Sequence, residues 1–282
     1  MFILIGGISM EEKYFYGDEN MKVLSVQDVS CYGQCSLTVA LPILSSYGIE
    51  TVILPSAILS THTSGFSNFT CLDLTLEMPK IINHWINEKI QVDAIYTGYI
   101  GDCRQFDYIL ECKNKLLVND GLFIVDPAMA DYGKLYPALS LDIVEGMKRI
   151  SSIADYIIPN ITEASLLTNN EYKEEYDEEY IKKLVNDLYK LGAKNIILTG
   201  VSFEKGKIGA VYYNGKDFIS YFSNKMRLLK LPEELRNVIL QLKSQEDMLS
   251  FDFEKTISDH MVNALTGYYK NGNGYYSSPF EG

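Results

Sequence analysis

Histidine is scarce in this chain. Its 282 residues hold three, His62, His84 and His260, far apart and in no HExxH or other paired arrangement. That spacing argues against a histidine-metal centre, which needs several imidazoles on one ion. Basic residues are few as well: 25 Lys+Arg stand against 37 Asp+Glu, a net charge of −12. Nucleic acid and anionic membrane surfaces both demand clustered cations, so neither is an expected partner. The five cysteines, Cys31, Cys35, Cys71, Cys103 and Cys112, are odd in number and include no CxxC pair. This is the usage of reduced thiols in a cytoplasmic protein rather than of a disulfide framework. Cys31 and Cys35, a CxxxC pair around a glycine turn, read as small buried thiols. No apolar run approaches the roughly 18 residues of a membrane span. Residues 1–20 lack the positive n-region of a signal peptide and read as an N-terminal extension ahead of the strand MKVLSV.

What is present is the composition of a globular protein, 47% apolar and 22% charged. Short apolar runs alternate with helical patterns. Strands are expected at 22–27, 51–54, 94–97, 122–125, 156–158 and 195–199. Helices are expected at 36–47, with Pro42 inside, and at 77–89, 104–117, 142–152 and 178–191. Asn214–Gly215 between two β-rich runs predicts a hairpin over 209–222. Apolar strands that alternate with helices imply a three-layer α/β/α fold, a mostly parallel central sheet with helices on both faces. Ligands of such sheets bind beyond the carboxyl ends of the strands. Those ends carry polar or glycine residues here: Asp28, Thr97–Gly98, Asp126, Asn160 and Thr199.

Two of these ends suggest chemistry. Asp126 closes a buried strand just before Pro127, where a carboxylate suits a ligand better than a core, although aspartate also starts turns. Asn160 and Glu163 form NxxE after a strand. This spacing fits Mg²⁺, which takes oxygen ligands and needs only one or two carboxylates beside substrate phosphates. It equally fits a capping box with Asn160 as N-cap and Glu163 at N3. The acidic run EYKEEYDEEY, residues 171–180, reads as a solvated loop and helix start.

Six stretches, in order, carry a resemblance: VQDVSCYGQCSLTVALPILSSYGIETVILPSAILSTHTSGF, DLTLEMPKIINHW, DAIYTGYIGD, FIVDPAMADYGKLY, ADYIIPNITEASLLT and IILTG. From about Lys22 to Phe222 the chain resembles the pyridoxal/pyridoxamine (vitamin B6) kinases of the ribokinase-like superfamily. The resemblance implies ATP-dependent phosphorylation of the 5′-hydroxyl of a B6 vitamer, with ATP and Mg²⁺ as cofactors, and usually a homodimer. It places Asp28, Thr63 and Ser64 at the vitamer, and Asp126, Asn160, Glu163, Thr199 and Gly200 at the ATP. Asn160 and Glu163 would organise Mg²⁺, directly or through water. Tyr132 and Lys134 would lie in a loop over the site, and His62 reads as a structural hydrogen-bonder. A hydroxymethylpyrimidine kinase shares the fold and is the alternative substrate class.

The likeness stops at the family's GTGD signature, whose glycines let backbone amides approach the transferring phosphate at a helix N-terminus. No GxGD occurs in this chain. The nearest candidate is TISDHMVNALTGYYKNG, where Asp259 stands eight residues before Gly267 and thirteen before Gly272. Thr256, Ile257 and Ser258 then replace Gly-Thr-Gly, giving a degenerate catalytic helix at 256–270 with Asp259 as base. The expected organisation is an extension over 1–20, a kinase body over 21–222 and a divergent region over 223–282. If the signature is not functional, the chain is a relative that binds vitamer or nucleotide without transferring phosphate.

Overall fold

The computed structural model of the chain describes residues 21–33, 35–63, 66–137 and 139–224. The first half runs β1 (Lys22–Ser30), α1 (Leu37–Ser46), β2 (Glu50–Leu59), β3 (Cys71–Asp73), α2 (Met78–Asn87), β4 (Val92–Thr97), α3 (Arg104–Lys115) and β5 (Leu117–Val125). There follow β6 (Ala130–Asp131), β7 (Lys134–Leu135), α4 (Leu141–Ser151), β8 (Tyr156–Ile157), α5 (Ile161–Thr168), α6 (Glu178–Leu191), β9 (Asn195–Val201), β10 (Lys207–Tyr213) and β11 (Phe218–Asn224). Nine strands form one sheet in the order β11-β10-β9-β8-β5-β4-β1-β2-β3. The pairs from β2 through β9 are parallel, and β3, β10 and β11 join antiparallel at the two edges.

Alternation along each strand divides the buried apolar residues between the two faces. Leu24, Val26, Ile95, Phe123, Val125, Ile196 and Leu198 pack with Met78 and Ile82 of α2, Phe106 and Ile109 of α3, Met147 of α4 and Leu184 of α6. Val23, Ala94, Tyr96, Ile124 and Ile197 face the other way with Leu44 of α1. Burial of both strand faces explains why these strands are near-continuous apolar runs. Helix starts follow local chemistry. Asp177 caps α6 by accepting from the backbone N–H of Tyr180, as expected of the end of the acidic run.

The sequence reading is corrected at several points. The first strand does not stop at Gln27 but continues to Ser30, so Asp28 lies inside it. The second strand runs through Pro55 to Leu59. The register explains how: Gln27 pairs with Pro55 and Val29 with Ile58, so Ser56 and Ala57 together oppose Asp28. This is a β-bulge at a proline, which has no N–H for the ladder. Cys31 is exposed and Cys35 half-buried, so they are not a buried pair. The segment of Tyr132 and Lys134 is a two-strand hairpin, β6–β7, rather than an open loop. The extension over 1–20, Ser64, and the candidate helix at 256–270 with Asp259 lie outside the described residues.

Candidate active site

The chain passes from β1 to β2 on one side, then crosses back to β4 on the other side and continues outward to β5, β8 and β9. Strand order therefore reverses between β1 and β4, and a crevice opens at the carboxyl ends of strands that diverge in this way. The ladder continues past the strand ends: Gly98 N–H donates to Val26 O (3.0 Å), Asp126 N–H to Thr97 O (3.1 Å) and Thr199 N–H to Pro159 O (2.9 Å). Gly98, Asp126 and Thr199 are thus held at the strand ends by backbone hydrogen bonds, and Asn160 bridges to Thr199. At Gly98 a Cβ would lie 3.0 Å from Cγ of Gln27, a tight approach that the Gln27 side chain would have to yield to.

On the β5–β9 side the NxxE motif is a complete capping box. Asn160 Oδ1 accepts from Glu163 N–H (2.9 Å) and Glu163 Oε2 accepts from Asn160 N–H (2.8 Å). Glu163 does more than cap. Its Oε1 accepts from Met129 N–H (3.2 Å), and Asn160 Nδ2 donates to Ala130 O (2.8 Å), so α5 is tied to the segment that follows Asp126. Glu163 is 3% exposed. Burial, and then the charge of Asp126, push its carboxyl well above the usual range, against the backbone N–H donors that favour the anion. Asp126 is half-buried, and its Oδ2 accepts from the buried Tyr96 hydroxyl at 3.4 Å. Thr199 is buried and donates to Pro159 O (3.2 Å), with Gly200 next to it at φ +72°. The β6–β7 hairpin turns through Tyr132 (φ 49°) and Gly133 (φ 74°). Tyr132 is 82% exposed, and Gly133 N–H donates to Thr162 Oγ1 (3.0 Å), which fastens the hairpin to α5.

On the β1–β3 side Asp28 is buried at the bulge. It accepts from Ser30 Oγ (3.2 Å), which in turn accepts from Cys35 Sγ (3.2 Å). Thr63 is half-buried in the segment after β2, and His62 N–H anchors that segment to Tyr32 O (3.1 Å). The His62 ring meets Phe66 edge-on at 4.9 Å, a packing role. Sequence reasoning missed Tyr99 and Asp73. Tyr99 is half-buried, its hydroxyl pushed up to about 12 by burial and then by Cys71, Asp28 and Asp73. The signal was in YTGYIGD, whose second tyrosine follows a strand-end glycine. Asp73 had none, because the three-residue strand β3 is too short to show a period.

Burial raises the Asp28 carboxyl above its ordinary 3.8. The native state therefore holds this proton more tightly than the unfolded chain, and stability falls as pH rises from about 4 through the native value. Asp28→Asn stays neutral, so its melting temperature gains on that of the wild type across that interval and the gap is then constant. Thermal melts from pH 4 to 7 check this, and a gap independent of pH contradicts it.

Among the described residues no group of three or more His, Cys, Asp or Glu could hold a metal ion, and no helix is long and apolar enough to cross a membrane. Mg²⁺ needs less, one or two carboxylates beside phosphates and water. The donor set suits that. Asp126 could ligate directly, while both Glu163 oxygens and both ends of the Asn160 amide already hold backbone partners and could reach an ion through water.

Residues 43–228 match the phosphomethylpyrimidine kinase family. A pyridoxal kinase of Dictyostelium discoideum is 29% identical over 192 residues, 65% of this chain and 61% of that protein. The chain spans about three-fifths of the curated relatives it matches. A protein of Bacteroides thetaiotaomicron described as a phosphomethylpyrimidine kinase, crystallised with pyridoxal, is 32% identical, with a TM-score of 0.71 over 91% of this chain and 90% of that one. The pyridoxal kinase of Lactobacillus plantarum is 26% identical, with a TM-score of 0.67 over 90% and 91%. With its mostly parallel sheet of ribokinase-like α/β type, the chain belongs to the phosphomethylpyrimidine kinase family.

Proposed function

We propose that this chain transfers the γ-phosphoryl group of ATP to the 5′-hydroxyl of pyridoxal, pyridoxamine or pyridoxine. One observation supports the reading: strand order reverses between β1 and β4, with Asp28 and Tyr99 as electrostatic neighbours on one side and Asp126 and Glu163 as neighbours on the other. A planar, polar-substituted ring fits the first side, and the Bacteroides relative binds such a ring. Phosphates fit the second only with a cation between them and the carboxylates. Mg²⁺, held by Asp126 directly and by Asn160 and Glu163 through water, would supply that charge compensation.

In this reading Asp28, Thr63 and Ser64 orient the vitamer so that its hydroxymethyl group points across the crevice. Asn160, Glu163, Thr199 and Gly200 set the nucleotide side. Asp259 accepts the hydroxyl proton as the oxygen forms its bond to the γ-phosphorus and the bond to the β-phosphate oxygen breaks, releasing ADP. Catalysis by such a site is mostly positioning and charge stabilisation. The working body is residues 21–222, with Asp259 supplied from 223–282. The cytoplasm, where ATP is available, is the proposed location. A second copy is the proposed partner, because Leu72 and Leu76 are exposed on and beside the edge strand β3 and an exposed apolar edge invites pairing.

The family description favours one competing substrate, a hydroxymethylpyrimidine. A panel of pyridoxal, pyridoxamine, pyridoxine and hydroxymethylpyrimidine with Mg²⁺–ATP separates the two. The expected order is any B6 vitamer above the pyrimidine by at least about tenfold in kcat/KM, the net worth of about one hydrogen bond. A pyrimidine preference overturns the assignment. Tight binding of a vitamer without turnover would mark a relative that has lost transfer.

A further inference from the structure

The described core contains a fully buried glutamine that the reaction scheme leaves unused. Gln105 lies in the first turn of α3 and is 0% exposed. Its Nε2 donates to Ser56 O (3.1 Å) and to Thr75 Oγ1 (2.8 Å), and its Oε1 accepts from Gly101 N–H (3.3 Å). Each partner belongs to a different segment of the β1–β3 side: the bulge of β2, the turn after β3 and the β4–α3 connection.

Ser56 is one of the two bulge residues opposite Asp28, and its hydroxyl donates to Tyr99 O (3.0 Å). Gly101 lies beneath the Tyr99 ring, whose Cε1 would be 3.4 Å from a Cβ at that position. Tyr99 is thus held on both flanks, at its own carbonyl and through the residue under its ring. Thr75 leads to the third piece. Its N–H donates to Asp73 Oδ1 (2.8 Å), and its hydroxyl makes a further short hydrogen bond to the same oxygen. One side chain therefore ties together the bulge of β2, the β4–α3 connection and the turn after β3. An interior this dry makes such bonds specific, since an unpaired partner costs more than a paired one returns.

We propose that Gln105 is a positioning residue for vitamer recognition, tying the backbone at Tyr99 and the turn at Asp73 to the β2 bulge opposite Asp28 while taking no part in phosphoryl transfer. This rests on the vitamer-kinase reading above. Its hydrogen bonds among the described residues run to Ser56, Thr75 and Gly101, on the β1–β3 side, so loosening it disturbs that side and leaves the Asn160–Glu163 capping box in place. Binding of the vitamer in ground and transition states falls together, which raises KM without lowering kcat.

Gln105→Met keeps the length of the side chain and deletes the two donors and the acceptor. Thr75→Val keeps the shape and deletes only the outer link. The full chain and both variants are assayed with pyridoxal and Mg²⁺–ATP. The expected result is a KM for pyridoxal raised about tenfold in Gln105→Met and about threefold in Thr75→Val. In both, kcat and the KM for ATP stay within twofold. If Gln105→Met does not fold, Thr75→Val alone carries the test. An unchanged KM for pyridoxal in the folded variants, or equal changes in both KM values and kcat, overturns the proposal. A wild-type chain that neither binds nor phosphorylates any vitamer overturns the kinase reading itself, and this inference with it. A wild type that does, beside variants of unchanged KM, overturns this inference alone.

Discussion

Asp259→Asn lowers kcat for pyridoxal phosphorylation by about 10²–10⁴-fold, the usual contribution of a positioned general base. The KM values for pyridoxal and ATP stay within a few fold. The split follows from the proposed role. A carboxylate that accepts a proton as the phosphorus–oxygen bond forms acts in the transition state, and its amide replacement leaves ground-state contacts in place. The stretch around it makes this result informative. On the proposed alignment Thr256 and Ser258 take the places of the signature's glycines, and Ile257 between them is β-branched. Side chains there work against the close approach of backbone amides to a phosphate. The account therefore expects a slow enzyme whose remaining rate depends on Asp259. Steady-state kinetics on the full chain checks this, and a variant as active as the wild type removes Asp259 from the mechanism.

Glu163→Ala is the second large effect, and it appears in stability as well as activity. The carboxylate is buried and accepts from two backbone donors, Asn160 N–H and Met129 N–H. Alanine leaves both without that acceptor and breaks the capping box of α5. Each stranded donor costs about 1–3 kcal/mol and a lost cap about 1 kcal/mol. The loss overlaps between the two, so urea unfolding should show a destabilisation of about 2–4 kcal/mol. Activity should fall below what the unfolded fraction accounts for, because the Met129 backbone that Glu163 holds lies three residues after Asp126. Glu163→Gln keeps one acceptor oxygen and loses less stability. Unfolding curves that superimpose for wild type and Glu163→Ala would contradict the role given to this side chain.

The regular elements were legible from periodicity. Helix α6 and the hairpin of β10 and β11 announce themselves in EEYIKKLVNDLYKL and in Asn214–Gly215. The parallel core strands show as apolar runs because both faces are buried. Most strand-end residues could be read for the same reason, since a polar residue that closes an apolar run is conspicuous. NxxE was ambiguous in sequence because one spacing serves a cap and an ion site. In the fold Glu163 completes the cap and also lies within reach of the charge of Asp126. Asp28 was placed beyond its strand because DVSCYG looks like a turn, and the bulge at Pro55 that keeps it in the strand depends on β2. Gln105 was invisible. A buried glutamine has no periodic signature, and its importance lies in three partners 4, 30 and 49 residues away.

The account stands most directly on one measurement. The full chain, incubated with pyridoxal, ATP and Mg²⁺, is analysed by mass spectrometry for phosphorylated vitamer and for ADP. The prediction is pyridoxal 5′-phosphate and ADP formed in equal amounts, with formation abolished when Mg²⁺ is chelated. ADP without phosphorylated vitamer, or no product from any vitamer at high enzyme concentration, would contradict it.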